Sequence, residues 1–256
     1  MGRLESALRA RRDGGGRAFV PYVTGGLKVV DAELLRGLAD AGADAIEIGI
    51  PFSDPIMDGG VIQEASRVAL EAGTRPVDIL GLVEEASLSV PVAVMTYVNP
   101  VLHRGVEAFL REAADAGVAA VILPDVPVDE GHDVARACRA ADVDPVLLAA
   151  PGSTTDRLRE IAGVGGGFVY CVATYGVTGE RDELADSAAE LVAALRPLTD
   201  LPLLVGVGIG TPAQAAQACA FADGVVVGSA LVRHLVAGDP EAALGLAREF
   251  RTAIPR

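Results

Sequence analysis

Within residues 45–60, AIEIGIPFSDPIMDGG, a carboxylate stands where a core residue belongs. Ala45, Glu47 and Gly49 alternate with Ile46, Ile48 and Ile50, which reads as a β-strand apolar on both faces with one ionisable intruder, Glu47. Burying an unpaired carboxylate costs on the order of several kcal/mol, so a strand keeps one where something compensates, and proton transfer is a common reason. The loop that follows is acidic and rich in turn formers: Pro51, Asp54, Pro55, Asp58, Gly59 and Gly60. It can carry a second carboxylate over the same site. Two carboxylates in unlike surroundings do general acid–base chemistry; the plainer reading of the same residues is a buried ion pair followed by turn-forming aspartates.

A second pattern lies late in the chain. GVGIG (206–210), with Gly208, and GSAL (228–231), with Gly228 and Ser229, follow apolar runs. Bare backbone N–H groups and a helix N-terminus bind phosphate there without a basic residue. YGVTGERDELAD (175–186) adds Thr178 and Gly179 in a loop long enough to fold over a ligand as a lid. Each glycine loop alone is an ordinary turn; three at consecutive strand ends point to a phosphate site. The one lysine, Lys28, lies several residues past the first strand, which excludes a Schiff base inside the site. His103, His132 and His234 are far apart on helical stretches, a poor set of metal ligands, and no GxxxxGK[ST] occurs. Acid–base chemistry on a phosphorylated substrate is what remains.

These groups need a frame. Apolar runs near 18–23, 44–49, 91–96, 119–123, 145–149, 167–172, 202–206 and 224–227 read as strands. Between them lie amphipathic stretches such as VVDAELLRGLADAG, VEAFLREAADAG, DVARACRAA, AELVAALRPL and PAQAAQACAFA. Eight β-then-α units predict one (β/α)8 barrel domain over residues 1–256. A doubly wound sheet is the rival, but TGGLKVVD after the first strand has no GxGxxG. Barrel chemistry sits where strands end, and there the sequence puts Tyr22 (strand one), Glu47 (two), Tyr97 and Asn99 (three), Asp125 (after four) and Tyr170 (six). Leu4, Ala7 and Leu8 predict a short N-terminal helix, ended by Gly14–Gly16; that pattern outweighs a loose match of Gly2 and Ser6 to a myristoylation signal.

A net charge of -14 argues against a nucleic-acid or anionic-membrane surface as partner. Cys138, Cys171 and Cys219 lie apart in apolar settings, as reduced core thiols do in a cytoplasm. No run approaches membrane-spanning length and the N-terminus has no apolar leader, so a cytoplasmic location is expected.

FVPYVTGG, AIEIGIPFSDPIMDGGVIQ, VMTYVNP, ILPDVP, GFVYCVATYGVTG, VGVGI and VVVGSALV, in this order, resemble the alpha subunit of tryptophan synthase over nearly the whole chain. The resemblance implies reversible retro-aldol cleavage of indole-3-glycerol phosphate to indole and glyceraldehyde 3-phosphate, with no cofactor in this subunit. It implies Glu47 as general acid and base, and Asp58 facing the indole N–H. It also implies phosphate contacts at Gly179, Gly208, Gly228 and Ser229. Tyr22, Tyr97, Leu123, Tyr170 and Thr178 match positions that line the indole pocket or support the carboxylates. A pyridoxal-phosphate-dependent beta subunit is the implied partner, in an alpha2beta2 assembly. TGGLKVV, Gly60 and Ala173 depart from the family pattern at loops that set closure and partner communication. The sequence leaves open a stand-alone indole-3-glycerol-phosphate lyase that releases indole, and a catalytically weak binding subunit. Retention of both Glu47 and Asp58 counts against the last.

Overall fold

The computed structural model describes residues 1–172, 181–206 and 208–255, the side chains of 181–185 excepted, so Ala173, Thr178 and Gly179 lie outside the described residues. Eight parallel strands close on themselves in chain order: β1 (Ala18–Thr24), β2 (Ile46–Gly49), β3 (Val92–Met95), β4 (Val118–Ile122), β5 (Asp144–Ala149), β6 (Val169–Val172), β7 (Leu203–Gly206) and β8 (Gly224–Val227), which pairs back with β1. All eight expected strands are present, and the eight-unit barrel is the fold.

Helix α1 (Arg3–Asp13) precedes β1. The helices after the strands are α2 (Ala32–Asp40), α3 (Gly60–Glu71), α4 (Pro76–Ala86), α5 (Val98–Arg104), α6 (Val106–Asp115), α7 (Val128–Ala140), α8 (Thr155–Val164), α9 (Arg181–Leu195), α10 (Pro212–Ala218), α11 (Ser229–Val236) and α12 (Pro240–Ala253). Several starts are written locally. The side chains of Asp31, Thr154, Thr211 and Asp239 accept the N–H of the third residue on, each cap stabilising by about 1 kcal/mol.

The helix expected at the N-terminus plugs the bottom of the barrel. Leu4 and Leu8 are fully buried, worth about 1.5–3 kcal/mol each, and the Asp144 carboxylate accepts the Glu5 N–H at 3.1 Å. Nearby, buried Arg251 donates to Asp44 at 3.0 Å, while Asp44 also accepts the Phe19 N–H. This ion-paired, helix-capped end leaves the opposite mouth for chemistry.

Two placements differ from expectation. β3 ends at Met95, so Tyr97 caps α5 and Asn99 sits in that helix's first turn, facing an outer hollow with Phe52 and Phe109 rather than the mouth. The residue before Pro100 resists a helix, but here the proline takes an early helical position where its missing N–H costs nothing. Asp125 does not enter the mouth either: both its carboxylate oxygens accept the Val98 N–H, at 3.0 and 3.1 Å, and cap α5.

Candidate active site

Side chains two apart along a strand share a face, so the closed sheet sends alternate residues inward. Register sets Tyr22 of β1 beside Glu47 of β2, Glu47 beside Ala93 of β3, and Gly49 beside Met95. Tyr22, Glu47, Met95, Ile122, Leu148, Tyr170 and Val226 thus line one cavity of about 300 Å³ at the strands' C-terminal ends. Its roof is Met57, Asp58, Gly59 and Ile62 from the loop and helix after β2. A largely apolar hollow with few polar groups suits an aromatic ligand of indole size.

Glu47 is 1 % exposed, and its Oε2 has no hydrogen-bond partner among the described residues; the Oγ1 of buried Thr96 is likewise unpartnered. Burial, with the nearby Asp58 charge as a second cause, pushes the Glu47 carboxyl up to about 8. Asp58 is pushed up to about 6 by burial, while a hydrogen bond from Tyr97 pulls the other way. The two carboxylates in one cavity therefore favour opposite states near neutral pH, Glu47 protonated and Asp58 ionised.

Tyr97 builds the support for Asp58. Its hydroxyl accepts the Met57 N–H at 3.0 Å and bonds the Asp58 carboxyl, and its ring stacks on Phe52 with centroids 4.9 Å apart. Gln63 of α3 holds the same turn by donating to the Asp58 carbonyl at 2.8 Å. Tyr97 stands behind the acidic loop rather than in the cavity wall.

The other end of the cavity is bare backbone. Gly208, Ile209 and Gly210 face Gly228, Ser229 and Ala230 across it. Gly208 has φ +87°, a conformation glycine adopts without strain. α11 starts at Ser229, and the N–H groups of Leu231 and Val232 are both taken by the Gly228 carbonyl. The Ser229 and Ala230 N–H groups then carry the helix N-terminal field toward the cavity.

The structure thus brings Tyr22, Glu47, Asp58, Tyr170, Gly208, Gly228 and Ser229 to one cavity, with Tyr97 behind it. Leu123 is elsewhere. It faces outward against α7 with Val126, Val134 and Cys138, and Ile122 takes the cavity position. One residue of register separates the two, because Ala120 and Ile122 share β4's inner face. Strand alternation also would have found Met95 and Leu148. Arg233, four residues past Ser229 on α11, lines the cavity too and was not anticipated. The three histidines lie on α5, α7 and α11, His132 pairing with Glu160 at 2.8 Å.

The family described as tryptophan synthase alpha chain matches residues 8–252. Among curated relatives, the tryptophan synthase alpha chain of Carboxydothermus hydrogenoformans is 43% identical over 236 residues, covering 91% of this chain and 88% of that protein. That of Streptomyces avermitilis is 42% identical, covering 94% and 88%. Among solved structures, tryptophan synthase from Mycobacterium tuberculosis superposes with a TM-score of 0.91 at 37% identity, covering 100% of this chain and 99% of that one. A structure of its aminoacrylate-bound form superposes at 0.90.

Proposed function

The chain belongs to the tryptophan synthase alpha chain family, and on that footing we propose that Glu47 and Asp58 are its acid–base pair. The activity is that of a carbon–carbon lyase of tryptophan biosynthesis, converting indole-3-glycerol phosphate to indole and glyceraldehyde 3-phosphate. The observation that carries the residue assignment is buried Glu47, its Oε2 without a hydrogen-bond partner among the described residues, sharing with Asp58 a cavity whose far end is bare glycine backbone.

Cleavage begins with Glu47 giving its proton to indole C3 while the ring nitrogen's lone pair forms the C=N bond. The resulting indoleninium cation faces Asp58, whose carboxylate stabilises it without having to reorganise. Glu47, now a carboxylate, takes the proton of the glycerol hydroxyl next to the ring. The hydroxyl oxygen forms the aldehyde C=O, the carbon–carbon bond breaks, and its electrons restore the indole. Glu47 ends as it began, protonated. Backbone donors at Gly208, Gly228, Ser229 and Gly179 hold the phosphate; Thr178 and Gly179 enter only by family likeness.

We place residues 1–256 in one domain, in the cytoplasm; no helix among the described residues is long and apolar enough to cross a membrane. The partner is a pyridoxal-phosphate-dependent beta subunit that consumes the indole. The test is indole release by the purified chain from indole-3-glycerol phosphate, with a cognate beta subunit titrated in. Acceleration at saturating partner supports the coupled complex. Full speed alone and no response identify a stand-alone lyase, and no indole under either condition overturns the assignment.

A further inference from the structure

Two carboxylates line this cavity, and the substrate of the lyase reading adds a phosphate to it. The phosphate brings a charge of about -1.5 to -2 near neutral pH, and the chain as a whole carries -14. Glycine N–H groups supply hydrogen bonds but no net charge, and a helix N-terminus supplies only about half a unit. Among the described residues lining the cavity, one side chain is basic: Arg233.

Its position on α11 is suited to the deficit. Arg233 lies four residues after Ser229, on the same helix face one turn along. Helical side chains lean back toward the N-terminus, so the Arg233 side chain leans toward the first turn, which carries the Ser229 and Ala230 N–H groups, and it lines the same cavity as they do. The face is fixed, because Leu231, Val232 and Leu235 are buried and α11 packs against β1, α3 and α12. Arg233 has no ion-pair partner among the described residues, whereas Arg67, Arg75, Arg104, Arg196 and Arg251 each engage a carboxylate. A planar guanidinium matches two phosphate oxygens at once.

We infer that Arg233 is a phosphate-binding residue, adding a full positive charge to a cradle that, among the described residues, is otherwise made of backbone donors and the Ser229 hydroxyl. The inference rests on the lyase reading. It makes Arg233 a determinant of specificity for phosphorylated over unphosphorylated ligands, since a neutral glycerol tail gains nothing from it.

The experiment compares wild type, Arg233→Gln, Arg233→Lys and, as a control of equal charge change, Arg248→Gln on the exposed side of α12. Calorimetric binding of glycerol 3-phosphate and KM for indole-3-glycerol phosphate are measured from about 20 to about 300 mM salt, spanning Debye lengths of roughly 20 to 6 Å. Arg233→Gln should weaken glycerol 3-phosphate and raise KM by about three- to tenfold at low salt, as loss of one charge-assisted contact does. Its salt dependence should be flatter than wild type, and the loss should fall on KM rather than kcat. Arg233→Lys should keep the salt dependence, and Arg248→Gln should follow wild type. An Arg233→Gln enzyme with wild-type affinity and salt slope overturns the inference while leaving the lyase intact. A wild-type chain that binds glycerol 3-phosphate but makes no indole overturns the lyase reading instead.

Discussion

The Tyr22 hydroxyl occupies the space that a side chain on Gly49 would fill. A Cβ built on Gly49 falls 2.8 Å from the Tyr22 Cζ and nearer still to its oxygen. Gly206 stands in the same relation to the Tyr170 ring on the far side of the barrel. Two strand glycines thus let two tyrosines lie across the mouth beside Glu47, and the Tyr22 hydroxyl reaches the Thr24 Oγ1 at 3.4 Å. The cavity's shape is set as much by these missing side chains as by the residues that line it.

Gly49→Ala should therefore cost more than its one methyl suggests. The tyrosine ring is buried on its other sides and can give way only into the cavity it lines, so overpacking should destabilise the fold by about 1–3 kcal/mol and displace the ring into the indole space. Thermal unfolding together with KM checks this. The double change Gly49→Ala with Tyr22→Leu should recover stability, and an equal loss with either residue at 22 would refute the steric account.

Glu47→Gln keeps the shape and loses the proton. Indole formation should fall by at least about a hundredfold in kcat, the usual scale of general acid–base catalysis, with glycerol 3-phosphate binding retained. Asp58→Asn should be comparably severe, because the cationic intermediate loses its counter-charge. A Glu47→Gln enzyme with more than about a tenth of wild-type kcat would limit the loss to ~1.4 kcal/mol and exclude the role.

Much of this arrangement is legible in the amino-acid sequence. Eight apolar runs gave the barrel because burial on both faces makes parallel strands near-continuous in hydrophobicity, and Glu47 stood out against that background. What the sequence hid was direction. Ile122 and Leu123 are alike in chemistry, and only the inner face of β4 tells which one meets ligand. Asp58 and Asp125 both follow strands, yet one roofs the cavity and the other caps α5, a difference made by loop geometry that composition does not encode. Arg233 was missed for another reason: an arginine on an amphipathic helix reads as a solvated face until its side of the helix is known to line the cavity.

Tyr97→Phe isolates the support under Asp58. The change removes the acceptor for the Met57 N–H and the bond that holds Asp58 down. Asp58 should then rise further above about 6, and the acid limb of the kcat profile should move to higher pH. A roughly tenfold fall in kcat is expected at pH 7, as for one misplaced electrostatic group, with less at pH 8. An unshifted acid limb would show that Tyr97 only packs against Phe52.

Glu47 should also leave a mark on stability. Its folded pKa is raised from 4.5 to about 8, so between those values the native state binds the proton that the unfolded chain has released. Stability contributed by the neutral carboxyl is complete below pH 4.5 and is lost as pH climbs through 8. At about 1.4 kcal/mol per unit over 3.5 units, the ceiling is about 5 kcal/mol. Urea unfolding of wild type and Glu47→Gln at pH 5, 7 and 9 reads the difference. The wild type should lose ground to the variant as pH rises; parallel curves would mean that Glu47 ionises freely.

The same pair should shape the rate. Turnover requires Asp58 ionised and Glu47 protonated, so kcat/KM should be bell-shaped, falling below about 6 and above about 8. The limbs belong to the coupled pair rather than to either group alone. The acid limb has a rival source, because the substrate phosphate takes up its second proton near pH 6 and would bind more weakly. Glycerol 3-phosphate separates the phosphate from the carboxylates: on the acid side its binding should weaken only as far as the phosphate ionisation accounts for, and it should remain strong above pH 8, where kcat collapses as Glu47 gives up its proton. If inhibitor binding and kcat fell together on the alkaline side, the loss would lie in the phosphate cradle, and Glu47 would not be the acid.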